Sequence, residues 1–353
     1  MASADDDPRT IKENRVTDLI PCTAIMANDA LPLGASVCLD LLCRDALSGL
    51  TRTPKALPSK HFYDARGSDL FEEICLLDEY YVTRTEEAQL RKIAPTLSRA
   101  IPPGSALVEF GSGASVKTRR ILDASPQLSA YLPLDISEAA LAQAAARIRA
   151  MYPALEVAPI RADFTADIAL PERFGAKPLV GFFPGSTIGN FTPDEAETFL
   201  ANVRHLLGAG ACLLLGADST NDPAVLGPAY DDRSGVTAAF NLNLLTRLNR
   251  ECGADFDLEM FEHRAVWNAQ ESRVEMHLVS LAQQEVRIAG ARVQFAPHET
   301  IHTENSYKYQ PAFLGALAAR AGWTVRQIWQ ESDPAPFLAG HAGTFCTYLL
   351  EGR

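Results

Sequence analysis

The stretch Ala106–Lys117, ALVEFGSGASVK, decides how the rest of the chain is interpreted. Its first three residues are apolar and partly β-branched, as a buried strand requires. After Glu109 come Gly111 and Gly113, which allow a sharp turn and let a ligand approach the backbone closely. A helix is expected to begin near Lys117. A strand, a glycine turn and a helix in this order predict a nucleotide-type site at the carboxyl end of a strand.

The spacing of the glycines argues against a dinucleotide. That fingerprint requires a third glycine three residues after the second, and this sequence has Val116 there. An acid-x-Gly-x-Gly turn resembles instead the first motif of the S-adenosylmethionine (SAM) methyltransferases, whose cofactor has no phosphate. By itself the motif leaves open a plain strand-to-helix turn without a ligand.

Length, charge and cysteine usage narrow the class of protein. A chain of 353 residues suffices for one large domain with an insertion or for two unequal domains. The net charge of −12 disfavours nucleic acid as a partner. The seven scattered cysteines contain no CxxC, which argues for a reducing compartment and against a disulfide framework or a cysteine zinc site. Without a leader-like start or an apolar run of about 18 residues, a cytoplasmic protein with no membrane association is expected.

Strand-like and helix-like segments alternate from residue 106 to residue 218 and predict five parallel strands of a doubly wound sheet. From about residue 221 the pattern changes to helix, and then to short β-like runs at 262–296 that are typical of an antiparallel meander. A helix at Pro311–Ala321 and two strands, Trp323–Trp329 and Thr344–Leu349, should complete the sheet.

The predicted fold class is therefore α/β: a seven-stranded, doubly wound, Rossmann-like SAM-methyltransferase core with an inserted α+β substrate or lid domain. The expected organisation is a disordered or peripheral extension at 1–20, the core at 21–220, the lid at 221–310 and the closing helix and strands at 311–353.

Polar residues follow several of the predicted core strands. Asp135 lies 22 residues after Gly113, where an acid can accept both ribose hydroxyls of a nucleoside. Asp163 and Phe164 follow the next strand and would suit an adenine, although a plain turn is the alternative. The fourth strand ends in PGSTIGN, which places backbone N–H groups and the amide of Asn190 where a substrate would lie.

Long, unusual strings carry a resemblance to one family. They are FYDARGSDLFEEI, EYYVTRTE, LVEFGSGASVKT, FFPGSTIGNFTP, AYDDRSGVTAAFNLNLLTRLNRECGADFD, VEMHLVS and TENSYKY. Over roughly residues 50 to 350 the sequence resembles the histidine Nα-methyltransferases of ergothioneine biosynthesis, with no departure at the motif positions. The resemblance implies transfer of three methyl groups from SAM to the α-amine of L-histidine, giving the betaine hercynine and S-adenosylhomocysteine. It implies no metal, and we expect a monomer.

The resemblance also assigns site residues by position. The cofactor residues are Gly111, Lys117, Asp135, Asp163 and Phe164. The substrate residues are Tyr63, Tyr80, Asn190, Tyr230, Thr237, Met276, Glu304 and Ser306. In the family, the equivalents of Asn190 and Tyr230 hold the amino-acid carboxylate, and those of Glu304 and Ser306 hold the imidazole. Tyr63 is the candidate catalytic residue, which would orient the amine or relay its proton.

These residue types suit methyl transfer to an amine. In-line displacement from a sulfonium mainly requires that the amine and the methyl group be positioned. A usual α-amino pKa of about 7.7–8 means that only modest help is needed to keep the amine neutral. The cationic product is accommodated by aromatic faces.

Three other functions stay open at this stage. The HExxH match His298–His302 suggests a zinc hydrolase, but that chemistry needs both histidines on one helix face. Pro297 and the β-branched Thr300 and Ile301 favour an extended or turn conformation there. The other two are a non-catalytic SAM- or amino-acid-binding protein and a methyltransferase of the same fold acting on another amino acid, such as tryptophan.

Overall fold

A computed structural model describes residues 40–113, 115–166, 168–334 and 340–353 of the chain. These residues belong to one compact unit. The expected extension at 1–20 lies outside the described residues. Among the described helices, none is both long and apolar enough to cross a lipid bilayer.

The elements alternate as the sequence predicts. The helices are α1 (Leu41–Leu50), α2 (Ala65–Ile74), α3 (Tyr81–Ala100), α4 (Thr118–Ala124), α5 (Glu138–Met151), α6 (Pro193–Leu207), α7 (Pro223–Tyr230), α8 (Val236–Cys252) and α9 (Pro311–Arg320). The strands are β1 (Lys55–Ala56), β2 (Ala106–Phe110), β3 (Ala130–Asp135), β4 (Glu156–Val157), β5 (Ile160–Arg161), β6 (Leu179–Phe183), β7 (Cys212–Asp218), β8 (Phe261–Asn268), β9 (Arg273–Ser280), β10 (Gln284–Ile288), β11 (Ala291–Phe295), β12 (Thr300–Tyr307), β13 (Trp323–Pro334) and β14 (Ala342–Gly352).

The core sheet has the order β13-β14-β7-β6-β2-β3-β4, and β5 also pairs with β3. The strands from β2 to β7 pair in parallel, while β14 runs antiparallel to β7 and β13 antiparallel to β14. This confirms the Rossmann-like α/β class. The strand count differs from the expected seven because the third expected strand is split into β4 and β5. Pro159 lies between them and has no N–H for the ladder.

A second sheet with the order β1-β12-β9-β8 and a separate β10–β11 hairpin confirm the antiparallel region after residue 260. We call the four-stranded sheet the lid sheet. Its strand β1 precedes the core in sequence and pairs in parallel with β12, Lys55 opposite Ile301. The apolar side of the lid sheet packs in one cluster with α1, α2 and α8.

The interpretation of the cysteines was wrong in one respect. Cys43 of α1 and Cys252 at the end of α8 form a disulfide, with Cα atoms 5.5 Å apart. The two residues are separated by 209 positions, so sequence spacing gives no sign of their proximity. Among the described residues Cys75, Cys212 and Cys346 are free.

Candidate active site

The glycine turn lies at the end of β2, against the end of β3. Gly111 has a φ of 70°, and its N–H donates to the Leu134 carbonyl at 2.9 Å. A Cβ at Gly111 would lie 3.3 Å from Cε1 of Phe164. The N–H of Gly113 donates to Oδ2 of Asp135 at 3.0 Å. Three of the assigned cofactor residues, Gly111, Asp135 and Phe164, are therefore neighbours at one edge of the core sheet.

The second acid of the cofactor assignment, Asp163, lies at a turn. Asp163 accepts a hydrogen bond from the N–H of Thr165 at 2.9 Å, and Nζ of Lys60 lies 3.7 Å from its Oδ2. Phe164 packs edge-on against Phe183, with ring centroids 5.6 Å apart. Phe164 thus joins the aromatic core while one side of its ring covers the glycine turn.

Lys117 is fixed by a carboxylate that the sequence interpretation did not assign. Its Nζ lies 2.5 Å from Oε2 of Glu86, a buried residue of α3. Both oxygens of Glu86 also accept from the N–H of Gly185, at 2.9 and 3.0 Å. Glu86 thereby links the helix after the glycine turn to the loop after β6. The available signal for Glu86 in the sequence was its place as the last residue of the string EYYVTRTE.

Glu109, the acid of the turn motif, is buried beneath the glycine turn rather than exposed to a ligand. Its Oε2 accepts from Oγ1 of Thr118 at 2.6 Å and from the hydroxyl of Tyr131. Burial raises the pKa of Glu109 to about 8, although the two hydroxyls and Lys117 oppose the shift. The residue therefore ties β2 to α4 and β3 and holds its proton at neutral pH.

Several aromatic side chains pack in the same cluster as the apolar side of the lid sheet. The rings of Tyr80 and Tyr230 meet edge to face at 6.2 Å, and Tyr63 meets Phe71 at 5.7 Å. Burial raises the pKa of Tyr63 well above its usual value, and the charge on Glu304 acts in the same direction. Tyr63 therefore stays a protonated phenol, which can donate a hydrogen bond but cannot serve as a phenolate base.

A β-bulge in β12 brings Glu304 to the inner face of the lid sheet. His302 lies opposite His277 on β9, but Glu304 lies opposite Met276, because the register shifts between His302 and Glu304. Bulges of this kind redirect side chains beside active sites. Two assigned substrate residues, Glu304 and Met276, are thus direct cross-strand neighbours.

The surroundings of Glu304 disfavour its charge. Burial raises the pKa of Glu304 to about 7, while the positive charge of Lys308 opposes the shift. Among the described residues Glu304 has no ion-pair partner within 4 Å. A ligand that offers an N–H or a positive charge would satisfy this carboxylate.

Ser306 belongs to a buried polar network that the sequence interpretation did not foresee. Its Oγ lies 2.7 Å from the hydroxyl of Tyr230, and Nζ of Lys308 donates to Ser306 at 3.0 Å and to Tyr230 at 2.7 Å. Lys308 also pairs with Asp218 at the end of β7, with 2.7 Å between Nζ and Oδ2. Lys308 and Asp218 are thus added to the candidate site. The polar run TENSYKY was the only sequence signal for Lys308, and Asp218 was visible only as an acid at the end of a predicted core strand.

The remaining assigned residues, Asn190 and Thr237, lie at the end of a 3₁₀ helix and at the start of α8. Asn190 ends a 3₁₀ helix, Thr187–Asn190, and a Cβ at Gly189 would lie 2.8 Å from the carbonyl oxygen of Tyr307 on β12. The amide of Asn190 makes no hydrogen bond with other described residues. Thr237 is buried at the start of α8, where its N–H donates to Asp232 at 2.7 Å.

The HExxH match does not form a helical zinc motif. His298 lies in a turn with a φ of 65°, and His302 lies on β12. His302, His277 and Glu275 share the outer face of the lid sheet, with candidate ligand atoms within 4.8 Å of one another. Burial alone would raise the pKa of Glu275, but hydrogen bonds from Asn268, Arg273 and His277 lower it to about 2. Its oxygens are already engaged by these donors.

The fold and the site define a Rossmann-like methyltransferase. The defining features are a parallel core sheet, a glycine turn after its first long strand, an acid after the next strand and an antiparallel closing hairpin. The model of the family described as "Histidine-specific methyltransferase, SAM-dependent" matches residues 42–337. The chain belongs to this family.

Curated relatives are similar over most of the chain. The "Histidine N-alpha-methyltransferase" of Mycolicibacterium smegmatis is 44% identical over 308 residues, which cover 86% of this chain and 94% of that protein. The protein of the same name from Mycobacterium tuberculosis is 42% identical, over 82% of this chain and 91% of its own length. "Ergothioneine biosynthesis protein 1" of Neurospora crassa is 33% identical over 57% of this chain and 23% of that protein.

Proposed function

We propose that the protein transfers three methyl groups from SAM to the α-amine of L-histidine, giving hercynine, the first step of ergothioneine biosynthesis. The observation that carries the proposal is the placement of Glu304. It is a carboxylate with no ion-pair partner among the described residues, on the inner face of the lid sheet, with Ser306 two residues along the same strand. An imidazole ring, with two nitrogens that exchange hydrogen bonds, is the amino-acid side chain that this pair suits.

The cofactor assignment rests on the arrangement at the glycine turn. Gly111, Lys117, Asp135, Asp163 and Phe164 would hold SAM, which supplies a methyl group on a positively charged sulfur. A side chain at Gly113 would meet no atom within 4 Å, so the space above the turn is open. Asp135 faces that turn and would accept hydrogen bonds from ribose hydroxyls.

The substrate assignment divides the amino acid into three parts. Asn190 and Tyr230 would bind the carboxylate, Glu304 and Ser306 the ring, and Tyr63 the amine, with Tyr80, Thr237 and Met276 lining the pocket. The first two methyl transfers each leave an ammonium that must lose a proton before the next transfer. The third leaves a quaternary ammonium, which the faces of Tyr80 and Tyr230 can accommodate. Because Tyr63 stays protonated, its role is to orient the amine and pass a proton onward.

The test is mass spectrometry of products from SAM and each of the twenty amino acids. Trimethylated histidine as the main product supports the proposal, and a preferred product from tryptophan or another amino acid contradicts it. Histidinamide tests the carboxylate assignment, because methylation of the amide as efficiently as of histidine would remove that role from Asn190 and Tyr230. The monomeric state, the cytoplasmic location and the division into core and lid domains stay predictions.

A further inference from the structure

Lys308 is the buried cation beside the ring pocket. Its side chain and that of Asp218 are both 0% exposed, and their charged atoms are 2.7 Å apart. Lys308 directly follows β12, whereas Asp218 ends β7, so this ion pair joins the lid sheet to the core sheet. Burial alone would lower the pKa of Lys308, but Asp218 and Tyr230 raise it above its usual value. Lys308 is therefore present as an ammonium.

The hydrogen bonds of Lys308 can be counted completely. An ammonium has three hydrogens to donate and accepts none. The three acceptors are Oδ2 of Asp218 at 2.7 Å, the hydroxyl oxygen of Tyr230 at 2.7 Å and Oγ of Ser306 at 3.0 Å. Both hydroxyl oxygens must therefore be acceptors toward Lys308.

The two hydroxyls then have only one hydrogen to offer a ligand. Tyr230 and Ser306 are 2.7 Å apart and share a hydrogen bond, which uses the hydrogen of one of them. If Tyr230 donates its hydrogen to the substrate's carboxylate, Ser306 must donate to Tyr230. Ser306 then presents only a lone pair to the ring and can bind only a ring nitrogen that carries hydrogen.

The charges around the pocket favour a cationic ring, the imidazolium, in which both nitrogens carry hydrogen. Asp218 cancels the charge of Lys308, and the neighbouring Tyr63 and Tyr80 are neutral phenols, because burial raises the pKa of each well above its usual value. When Glu304 is ionised, as it is above its pKa of about 7, its charge is left without a counterion among the described groups. A cationic ring beside Glu304 would balance it.

We propose that Lys308 makes this pocket select the imidazolium form of the substrate, with Ser306 accepting from one ring N–H and Glu304 from the other. The inference rests on the proposed function and deepens it. Lys308 acts as a positioning residue, since it fixes the direction of the hydrogen bonds made by Tyr230 and Ser306 and does not itself reach the ring.

The experiment compares L-histidine with 2-fluoro-L-histidine between pH 6 and pH 9. Fluorine withdraws electrons from the ring, so the analogue stays neutral over this range while its amine and carboxylate are retained. The ratio of kcat/KM for the two substrates should fall as the pH rises above about 6.5, the usual pKa of the histidine ring, by up to about tenfold per pH unit. A ratio that is constant over this range would overturn the proposal.

Variants at the ion pair test the role of Lys308. The double variant Lys308→Met, Asp218→Asn removes the cation without leaving a buried, unpaired carboxylate. In this variant the hydroxyl groups of Tyr230 and Ser306 regain freedom to donate. The preference for histidine over 2-fluorohistidine should therefore decrease by about ten- to a hundredfold and lose its pH dependence. A purely structural role would lower kcat/KM for both substrates equally, which would also overturn the proposal.

Three further outcomes separate this inference from the proposed function. If the unmodified protein does not methylate histidine, the proposed function fails. If it trimethylates histidine and methylates 2-fluorohistidine equally well at every pH, only the selection of imidazolium fails. If neither the unmodified protein nor the double variant binds 2-fluorohistidine in calorimetry with S-adenosylhomocysteine present, the ring is excluded for a reason other than Lys308 and the proposal is overturned.

Discussion

Glu304 on β12 lies directly opposite Met276 on β9, although His302, two residues earlier, lies opposite His277 on the other face of the same sheet. Strict alternation along a strand would place Glu304 and His302 on one face. The extra residue at the bulge, Thr303, is buried, and its hydroxyl donates to the Met276 carbonyl at 3.0 Å. One inserted residue thus brings a carboxylate to the inner face of the lid sheet.

The first prediction concerns specificity at this position. Glu304→Ala should weaken histidine binding by about 1.5–3 kcal/mol, because a hydrogen bond to a charged group is lost. It should also relax discrimination against phenylalanine, which in the native pocket leaves Glu304 without a hydrogen-bond partner. Calorimetry with histidine and phenylalanine measures both effects.

The control for this variant is Glu262→Ala. Glu262 lies on β8 of the same sheet, but its side chain is 48% exposed and pairs with Arg264. Histidine binding should be unchanged in this control, and SAM affinity should be unchanged in both variants. Equal losses for histidine and phenylalanine in Glu304→Ala would mean that Glu304 supports the fold and does not bind the ring.

The second prediction is a pH dependence. Because burial raises the pKa of Glu304 to about 7, lowering the pH through 7 should protonate it and remove the proposed charge-assisted hydrogen bond to the ring. The ratio of kcat/KM between the native protein and Glu304→Gln cancels the ionisation of the substrate. That ratio should be highest above pH 7 and fall by up to about tenfold per pH unit below it. A ratio independent of pH would place the pKa of Glu304 outside the pH range of the measurement and contradict the prediction.

The sequence predicts the parts of this protein that follow from local patterns. The glycine turn with its flanking strand and helix and the antiparallel region after residue 260 both appear in the structure. In each case the signal lies within a few residues, where turn chemistry and side-chain periodicity determine the conformation.

What the sequence does not predict depends on residues that are distant in the chain. The disulfide joins Cys43 to Cys252, and the buried ion pair joins Asp218 to Lys308. The bulge at Thr303 reverses the faces of all later residues of β12, and no glycine or proline marks it. Each becomes visible only when tertiary packing brings two elements together.

The third prediction concerns the cofactor. Asp135→Asn keeps an oxygen that can accept from the N–H of Gly113 but removes the negative charge. If Asp135 binds ribose hydroxyls, SAM affinity should fall by about 1.5–3 kcal/mol per lost hydrogen bond. Asp255→Asn, a change in the lid region where Asp255 pairs with Arg287, is the matched control. Calorimetry that shows the same SAM affinity for Asp135→Asn and the native protein would exclude the assignment.

The last prediction concerns stability and Glu109. The pKa of this carboxyl rises to about 8 in the fold from its ordinary value of 4.5, with burial as the main cause. Between these two values the folded protein holds a proton that the unfolded chain has released. The free energy of unfolding should therefore decrease as the pH rises from about 5 to 8, by on the order of 1.4 kcal/mol per pH unit from this group.

Glu109→Gln has no such proton to lose, and its amide oxygen can still accept from Thr118 and Tyr131. Urea denaturation at pH 5, 6, 7 and 8 should show the variant gaining stability relative to the native protein as the pH rises, with no further gain above pH 8. Parallel pH profiles for the two proteins would mean that Glu109 is ionised in the fold, held by Thr118, Tyr131 and Lys117 as an anion.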